Sequence, residues 1–117
     1  MVSVLCYPKC STCHKALKWL DEKGVQYTVR NIKEENPSEE ELSYWYKNSG
    51  LPLKRFFNTS GLLYKSMELK DKLPTMSEDE QLKLLSSDGM LVKRPLLISE
   101  NFVLTGFKEK EWEENLM

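Results

Sequence analysis

No run of about 18 apolar residues occurs in this 117-residue chain, which excludes a membrane-spanning helix. The N-terminus carries no basic segment followed by a long apolar stretch, so no secretion signal is expected. Neither sign of charge dominates: 17 Lys and Arg stand against 18 Asp and Glu, which argues against a general binder of nucleic acid or other polyanions. Repeats, low-complexity tracts and linkers are lacking. Histidine occurs once, at His14, and cysteine only three times. An odd cysteine count without a secretion signal points to a reducing cytoplasm rather than to a disulfide framework. The length suits one domain spanning residues 1–117, expected to be monomeric, and a 40% hydrophobic content is enough to bury a core without disulfide staples.

The three cysteines are concentrated in eight residues, Cys6, Cys10 and Cys13. Cys10 and Cys13 form a Cys-x-x-Cys pair where a short apolar run, Val2 to Tyr7, gives way to a helical pattern from Lys15 onward. That places the pair at the first turn of a helix, whose partial positive charge and unpaired N–H groups favour a thiolate over a thiol. The thiolate is the reactive form, so the placement points to sulfur chemistry. At i and i+3 the two sulfurs share one helix face, close enough to bridge. Cys10 is expected to be the more exposed and more acidic nucleophile, with Cys13 resolving the mixed disulfide that Cys10 forms.

Element by element, Val2 to Tyr7 reads as a strand broken by Pro8. Ala16, Leu17, Trp19 and Leu20 give a helical stripe closed by Gly24. Val25 to Ile32 reads as a second strand, with Val25, Tyr27 and Val29 on one face. Strand, helix, strand in about 30 residues is a βαβ unit with parallel strands. Ser38 with Glu41, and Ser77 with Glu80, are capping boxes opening two helices, which Gly50 and Asp88-Gly89 end. Asn58-Thr59-Ser60-Gly61 is a turn. Residues 95–99 and 102–105 form an antiparallel hairpin across Glu100-Asn101, and 109–115 a last helix. This order predicts an α/β, thioredoxin-like fold: a mixed four-stranded sheet with a helical insertion at about 38–90.

Other readings compete at several positions. Cys6, Cys10, Cys13 and His14 supply four ligands for zinc, yet the spacing lacks the two separated ligand pairs of a finger or ribbon, so no metal is expected. Cys6 reads as a small buried hydrophobe and His14 as a solvated first-turn residue. Lys93-Arg94-Pro95 precedes the third strand. A cation there would stabilise a thiolate or hold an anionic substrate, but from the residues alone a solvated loop arginine is the better reading, and an ordinary trans proline fits Pro95 equally well. Lys54, Arg55 and Lys65 read as a solvated face rather than as ligands for glutathione carboxylates. Trp45, Tyr46, Phe56 and Phe57 read as packing.

Three segments, Tyr7–Ala16, Leu53–Gly61 and Leu91–Ile98, together resemble the ArsC/Spx family. This family comprises thioredoxin-fold proteins that include glutaredoxin-coupled arsenate reductases and the Spx transcriptional regulators. The likeness runs from the first strand to Gly106-Phe107-Lys108. It implies that Cys10 is the nucleophile and Cys13 the second cysteine of a redox switch. Arg94 would be the arginine beside the reactive sulfur and Pro95 a cis-proline. Ser11, Thr12, Lys93 and Pro95 are the implied substrate-binding positions.

The chain also departs from the arsenate reductases. Asn58 and Lys108 stand where further arginines hold the oxyanion. Losing the planar fork weakens bidentate capture, which argues against arsenate reduction. The resemblance therefore implies a thiol–disulfide oxidoreductase with no bound cofactor. It would act on a small-molecule thiol or protein disulfide, with glutathione or a thioredoxin-type thiol as electron donor. The alternative it implies is a redox-sensing regulator that binds the RNA polymerase α subunit. Ending soon after the last helix, without the longer tail of such regulators, the chain fits the enzyme-like branch better.

Overall fold

The computed structural model of the protein describes residues 1–117. Its four strands are β1 (Val2–Cys6), β2 (Tyr27–Asn31), β3 (Leu96–Ile98) and β4 (Val103–Thr105), in the spatial order β2-β1-β3-β4. β1 runs parallel to β2, from Val2 opposite Tyr27 to Cys6 opposite Asn31. β3 is antiparallel to both neighbours, with Val4 opposite Leu97 and Leu97 opposite Leu104. The sheet is therefore mixed, as the βαβ unit followed by a hairpin requires.

Pleating sorts β1 between two cores. Val2, Val4 and Cys6 join Leu97 under α1 (Ser11–Glu22) and the C-terminal helix, packed with Cys13, Ala16, Trp19, Leu20 and Trp112. Leu5 and Leu96 face the other way, into a larger core built by residues 39–92. There α2 (Glu39–Ser49) packs against the later helix α5 (Glu78–Ser87). Between those two, short α3 (Leu62–Ser66) and α4 (Leu69–Lys72) and a 3₁₀ turn at Leu53–Phe56 supply Leu53, Phe56, Tyr64 and Leu69 to the same core. The chain ends in α6 (Glu109–Leu116). No helix is long and apolar enough to cross a membrane.

Both capping boxes form as the sequence predicts. The Ser38 hydroxyl accepts from the Glu41 N–H at 3.1 Å, and the Ser77 hydroxyl from the Glu80 N–H at 3.2 Å. Gly89 marks a close approach: a Cβ there would overlap the carbonyl oxygen of Ile32, so only glycine lets the end of α5 lie on the strand exit. One expectation fails on β2. The strand starts at Tyr27 rather than Val25, and Val29 is 53% exposed. β2 is the sheet edge, and α1 reaches Tyr27, whose hydroxyl donates to Asp21 at 2.7 Å, but leaves Val29 uncovered.

Glu41 also joins β2 to α2. Arg30 donates Nη1 and Nη2 to its two carboxylate oxygens at 2.6 and 2.9 Å. That guanidinium, with the Ser38 N–H and hydroxyl, holds the Glu41 carboxyl down from about 4.5 to about 2. A lowered folded-state value stabilises the fold fully above the unfolded value and is lost as pH falls from about 4.5 through about 2. Because both partners are partly solvated, the pair is worth about 1 kcal/mol. Arg30→Met is therefore expected to lower the urea midpoint at pH 6, with the difference from wild type shrinking as pH falls from about 4.5 through about 2. Parallel pH profiles for the two proteins would refute this assignment.

Candidate functional site

The Tyr7–Lys9 turn delivers Cys10 to the N-terminal boundary of α1, where its N–H donates to the Tyr7 carbonyl at 3.0 Å. Cys10 is partly exposed, with an extended backbone (φ −91°, ψ 117°), and its side chain makes no capping hydrogen bond. Cys13, one turn on, is fully buried, and Cys6 lies beside it at the end of β1. The His14 ring is engaged locally: its Nε2–H donates to the Pro8 carbonyl at 2.6 Å, which steadies the turn. No three His, Cys, Asp or Glu side chains gather in a way that could hold a metal ion.

The three thiols act on one another. Hydrogen bonding from the Cys6 thiol, helped by a Tyr7 backbone group, the Cys10 thiol and the charge of Arg94, brings Cys13 down from 9.0 to about 6 against the effect of burial. Cys6 is pushed the opposite way, by that hydrogen bond to Cys13 and by burial, and stays protonated. Cys13 thus carries a thiolate near neutral pH, a property the sequence reading did not give it. Cys6→Ala is expected to cut the Cys13 thiolate fraction at pH 7 by about tenfold, while Cys6→Ser keeps a donor and most of the effect. Thiolate absorbance against pH in a Cys10→Ser background measures this. Unchanged titration in Cys6→Ala would remove Cys6 from the network.

Arg94 lies with its guanidinium 5.2 Å from the centre of the Tyr7 ring, on the segment entering β3. The Arg94–Pro95 peptide bond is cis, as the resemblance implied. Backbone bonds pin the surrounding segments together. Lys93 N–H donates to Phe56 at 2.8 Å and Asn58 N–H to Leu91 at 2.8 Å, fixing the central loop. Gly106 N–H donates to Pro95 at 2.8 Å, fixing the exit of β4.

These segments enclose a cleft of about 450 Å³ in front of Cys10. Thr12 flanks the sulfur, the central loop contributes Arg55, Asn58, Ser60 and Gly61, and Lys93 and Arg94 form a further wall. Thr105, Gly106, Phe107 and Lys108 close it. Four cations line this cleft and no carboxylate does.

The family model described as the ArsC family matches residues 5–115. The chain belongs to the ArsC family. It is 58% identical over 109 residues to the uncharacterized protein YusI of Bacillus subtilis (strain 168), covering 93% of this chain and 92% of YusI. A crystal structure of an ArsC family related protein from Bacteroides fragilis has a TM-score of 0.94 and 57% identity, covering 97% of this chain and 95% of that one. At greater distance come an arsenate reductase from Vibrio cholerae (TM-score 0.86, 27% identity, 98% of this chain, 97% of that one) and the global transcriptional regulator Spx of Staphylococcus saprophyticus (27% identity over 112 residues, 95% of this chain, 83% of Spx). This ArsC-family protein therefore has a thioredoxin-like fold and is related both to arsenate reductases and to Spx regulators.

Within that frame the sequence-selected residues divide. Cys10, Thr12, Lys93 and Arg94 meet at the cleft. Ser11 is exposed on the first turn of α1 outside the cleft lining, and Pro95 is buried behind Arg94. Lys54 and Lys65 are exposed as expected, whereas Arg55 is half-buried and lines the cleft, which corrects its reading as a solvated surface cation. A 3₁₀ turn makes the difference, since it turns Arg55 inward beside the buried Phe56. Thr105 carries no motif that marks it in the sequence. The only hint in the sequence was its place at the end of the last strand.

Proposed function

We propose that this ArsC-family protein is a thiol–disulfide oxidoreductase. What carries the reading is one juxtaposition: a half-exposed cysteine at a helix N-terminus opening onto a cation-lined cleft, backed by a second cysteine one turn later. Cys10, deprotonated, attacks one sulfur of a substrate disulfide, forming Cys10–S–S–R and releasing the other half as a thiolate. Cys13 then attacks the Cys10 sulfur, releasing the remaining half as a thiolate and leaving a Cys10–Cys13 disulfide. Two electrons have passed to the substrate. Two glutathione molecules, or the dithiol of a thioredoxin-type donor, restore the pair.

In this scheme Arg94 stabilises the anionic sulfurs, and Pro95 sets the position of Arg94 from behind. The lowered pKa of Cys13 suits a resolving thiolate at neutral pH. The experiment is turnover of a glutathione mixed disulfide and of arsenate by wild type, Cys10→Ser and Cys13→Ser. Mixed-disulfide reduction lost in Cys10→Ser is expected. Turnover surviving in Cys13→Ser would mean that glutathione resolves the intermediate itself. Arsenate reduction at a comparable rate would overturn the assignment in favour of an arsenate reductase.

A second reading rests on the relationship to Spx across 95% of this chain. In it, the Cys10–Cys13 disulfide alters a surface that binds the RNA polymerase α subunit, and no substrate is turned over. Capture of the α subunit that depends on oxidation state, together with no mixed-disulfide turnover, would establish it. Absence of capture supports the enzyme.

A further inference from the structure

The charges around Cys10 restrict what thiol the cleft can hold. Of the two ion pairs in the protein, only Lys108–Glu111, at 4.0 Å, involves a cleft residue. Arg55, Lys93 and Arg94 therefore face the cleft without a carboxylate partner. Unpaired polar atoms point the same way. The Nε and Nη1 of Arg94 are buried without a hydrogen-bond partner, and so is the hydroxyl of Thr105, which is 3% exposed. Buried donors left unpaired are costly, and acceptor oxygens of a ligand satisfy them.

Size narrows the class further. At about 30 Å³ per water, 450 Å³ holds about fifteen waters. This is far more than one tetrahedral oxyanion fills and is the size of a small-molecule site. The cations also come from separate segments, the 3₁₀ turn (Arg55), the β3 entry (Lys93, Arg94) and the β4 exit (Lys108), so several anionic groups can be met at once. Nothing in the lining greets a positive charge, because no carboxylate is there to pair with an ammonium.

We propose that the cleft selects a low-molecular-weight thiol, presented as its disulfide, that carries two or more anionic groups and no ammonium. The proposal rests on the oxidoreductase reading for its chemistry, yet its selectivity is measurable without turnover. Arg94 and Thr105 meet one anionic group beside the sulfurs, and Arg55 and Lys93 meet another. Glutathione, whose glutamyl end bears an ammonium, fits less well and serves as a poorer substrate.

Calorimetric binding of inert thioethers to the Cys10→Ser protein, which cannot form the Cys10–Cys13 disulfide and is kept reduced, tests this. The probes are 2-(methylthio)succinate, S-methylglutathione, 2-(methylthio)ethylamine and inorganic phosphate. The dicarboxylate is expected to bind about tenfold more tightly than S-methylglutathione, and the amine not at all. Arg55→Ala is expected to weaken dicarboxylate binding about tenfold while leaving the thermal midpoint unchanged. Equal affinity for S-methylglutathione, or phosphate binding as tightly as the dicarboxylate, would overturn the proposal. So would Arg55→Ala with undiminished binding. Selective dicarboxylate binding in a protein that turns over none of the corresponding mixed disulfides would sink the oxidoreductase reading and leave this one standing.

Discussion

Cys10→Ser is expected to lower mixed-disulfide turnover by about a thousandfold or more while leaving the protein at least as stable as wild type. The first half follows from chemistry: a hydroxyl at neutral pH is neither ionised nor able to form the mixed disulfide, and losing a nucleophile costs at least that much. The second half follows from position. Cys10 occupies the N-cap of α1 with the extended backbone such a residue needs, and its sulfur satisfies none of the free N–H groups there. Serine is among the preferred N-cap residues, and its oxygen accepts from an N–H of the first turn, worth about 0.5–1 kcal/mol. Activity and stability should therefore move in opposite directions. Turnover assays beside urea denaturation measure both. A variant that loses activity together with stability would mean that Cys10 matters to the fold, and that the loss says nothing about nucleophilic attack. Cys13→Ser makes the contrasting case, because full burial exposes its hydroxyl to no solvent and the fold itself should weaken.

Local signals in the sequence were reliable wherever the chain determines its own geometry within a turn. Ser38 with Glu41 and Ser77 with Glu80 placed two helix starts, because a capping box is satisfied by residues three apart. The Glu100-Asn101 turn placed the hairpin for the same reason, and Cys10 and Cys13 fell at the helix start as expected. What depended on contacts between distant segments was not legible. The exposure of Val29 follows from how far α1 reaches across the sheet. Arg55 reaches the cleft because Lys93 and Asn58 pin its loop to residues 91–93, about forty positions away. Cys6 was correctly read as a small buried residue. Its thiol meets Cys13 only once β1 lies against α1, so its effect on that sulfur belongs to tertiary structure.

The largest expected effect on the fold comes from the other end of the chain, at Trp112. α6 has a single buried residue, and the rest of Glu-Lys-Glu-Trp-Glu-Glu-Asn-Leu is polar or partly exposed. Trp112 is fully buried, edge-on to Phe107 at 4.9 Å and to Trp19 at 6.1 Å, so with the partly buried Leu116 beside it, it is the main anchor of α6 to the α1 face of the sheet. Its indole Nε1–H donates to the carbonyl of Gly106 at 3.1 Å, and Gly106, Phe107 and Lys108 line the cleft. Trp112→Ala removes both the anchor and the bond and is expected to cost about 3–5 kcal/mol. For a chain this size that lowers the thermal midpoint by about 10–20 °C. Trp112→Phe keeps an aromatic ring but leaves the Gly106 carbonyl unpaired, at about 1–2 kcal/mol. Because the same bond holds one wall of the cleft, Trp112→Phe should also raise KM for an anionic disulfide more than it lowers kcat. Circular dichroism melts with steady-state kinetics on both variants test the linkage. A Trp112→Phe protein of reduced stability but unchanged KM would separate the helix anchor from the cleft wall. A Trp112→Ala melt within about 5 °C of wild type would show that α6 is held by something other than this one side chain.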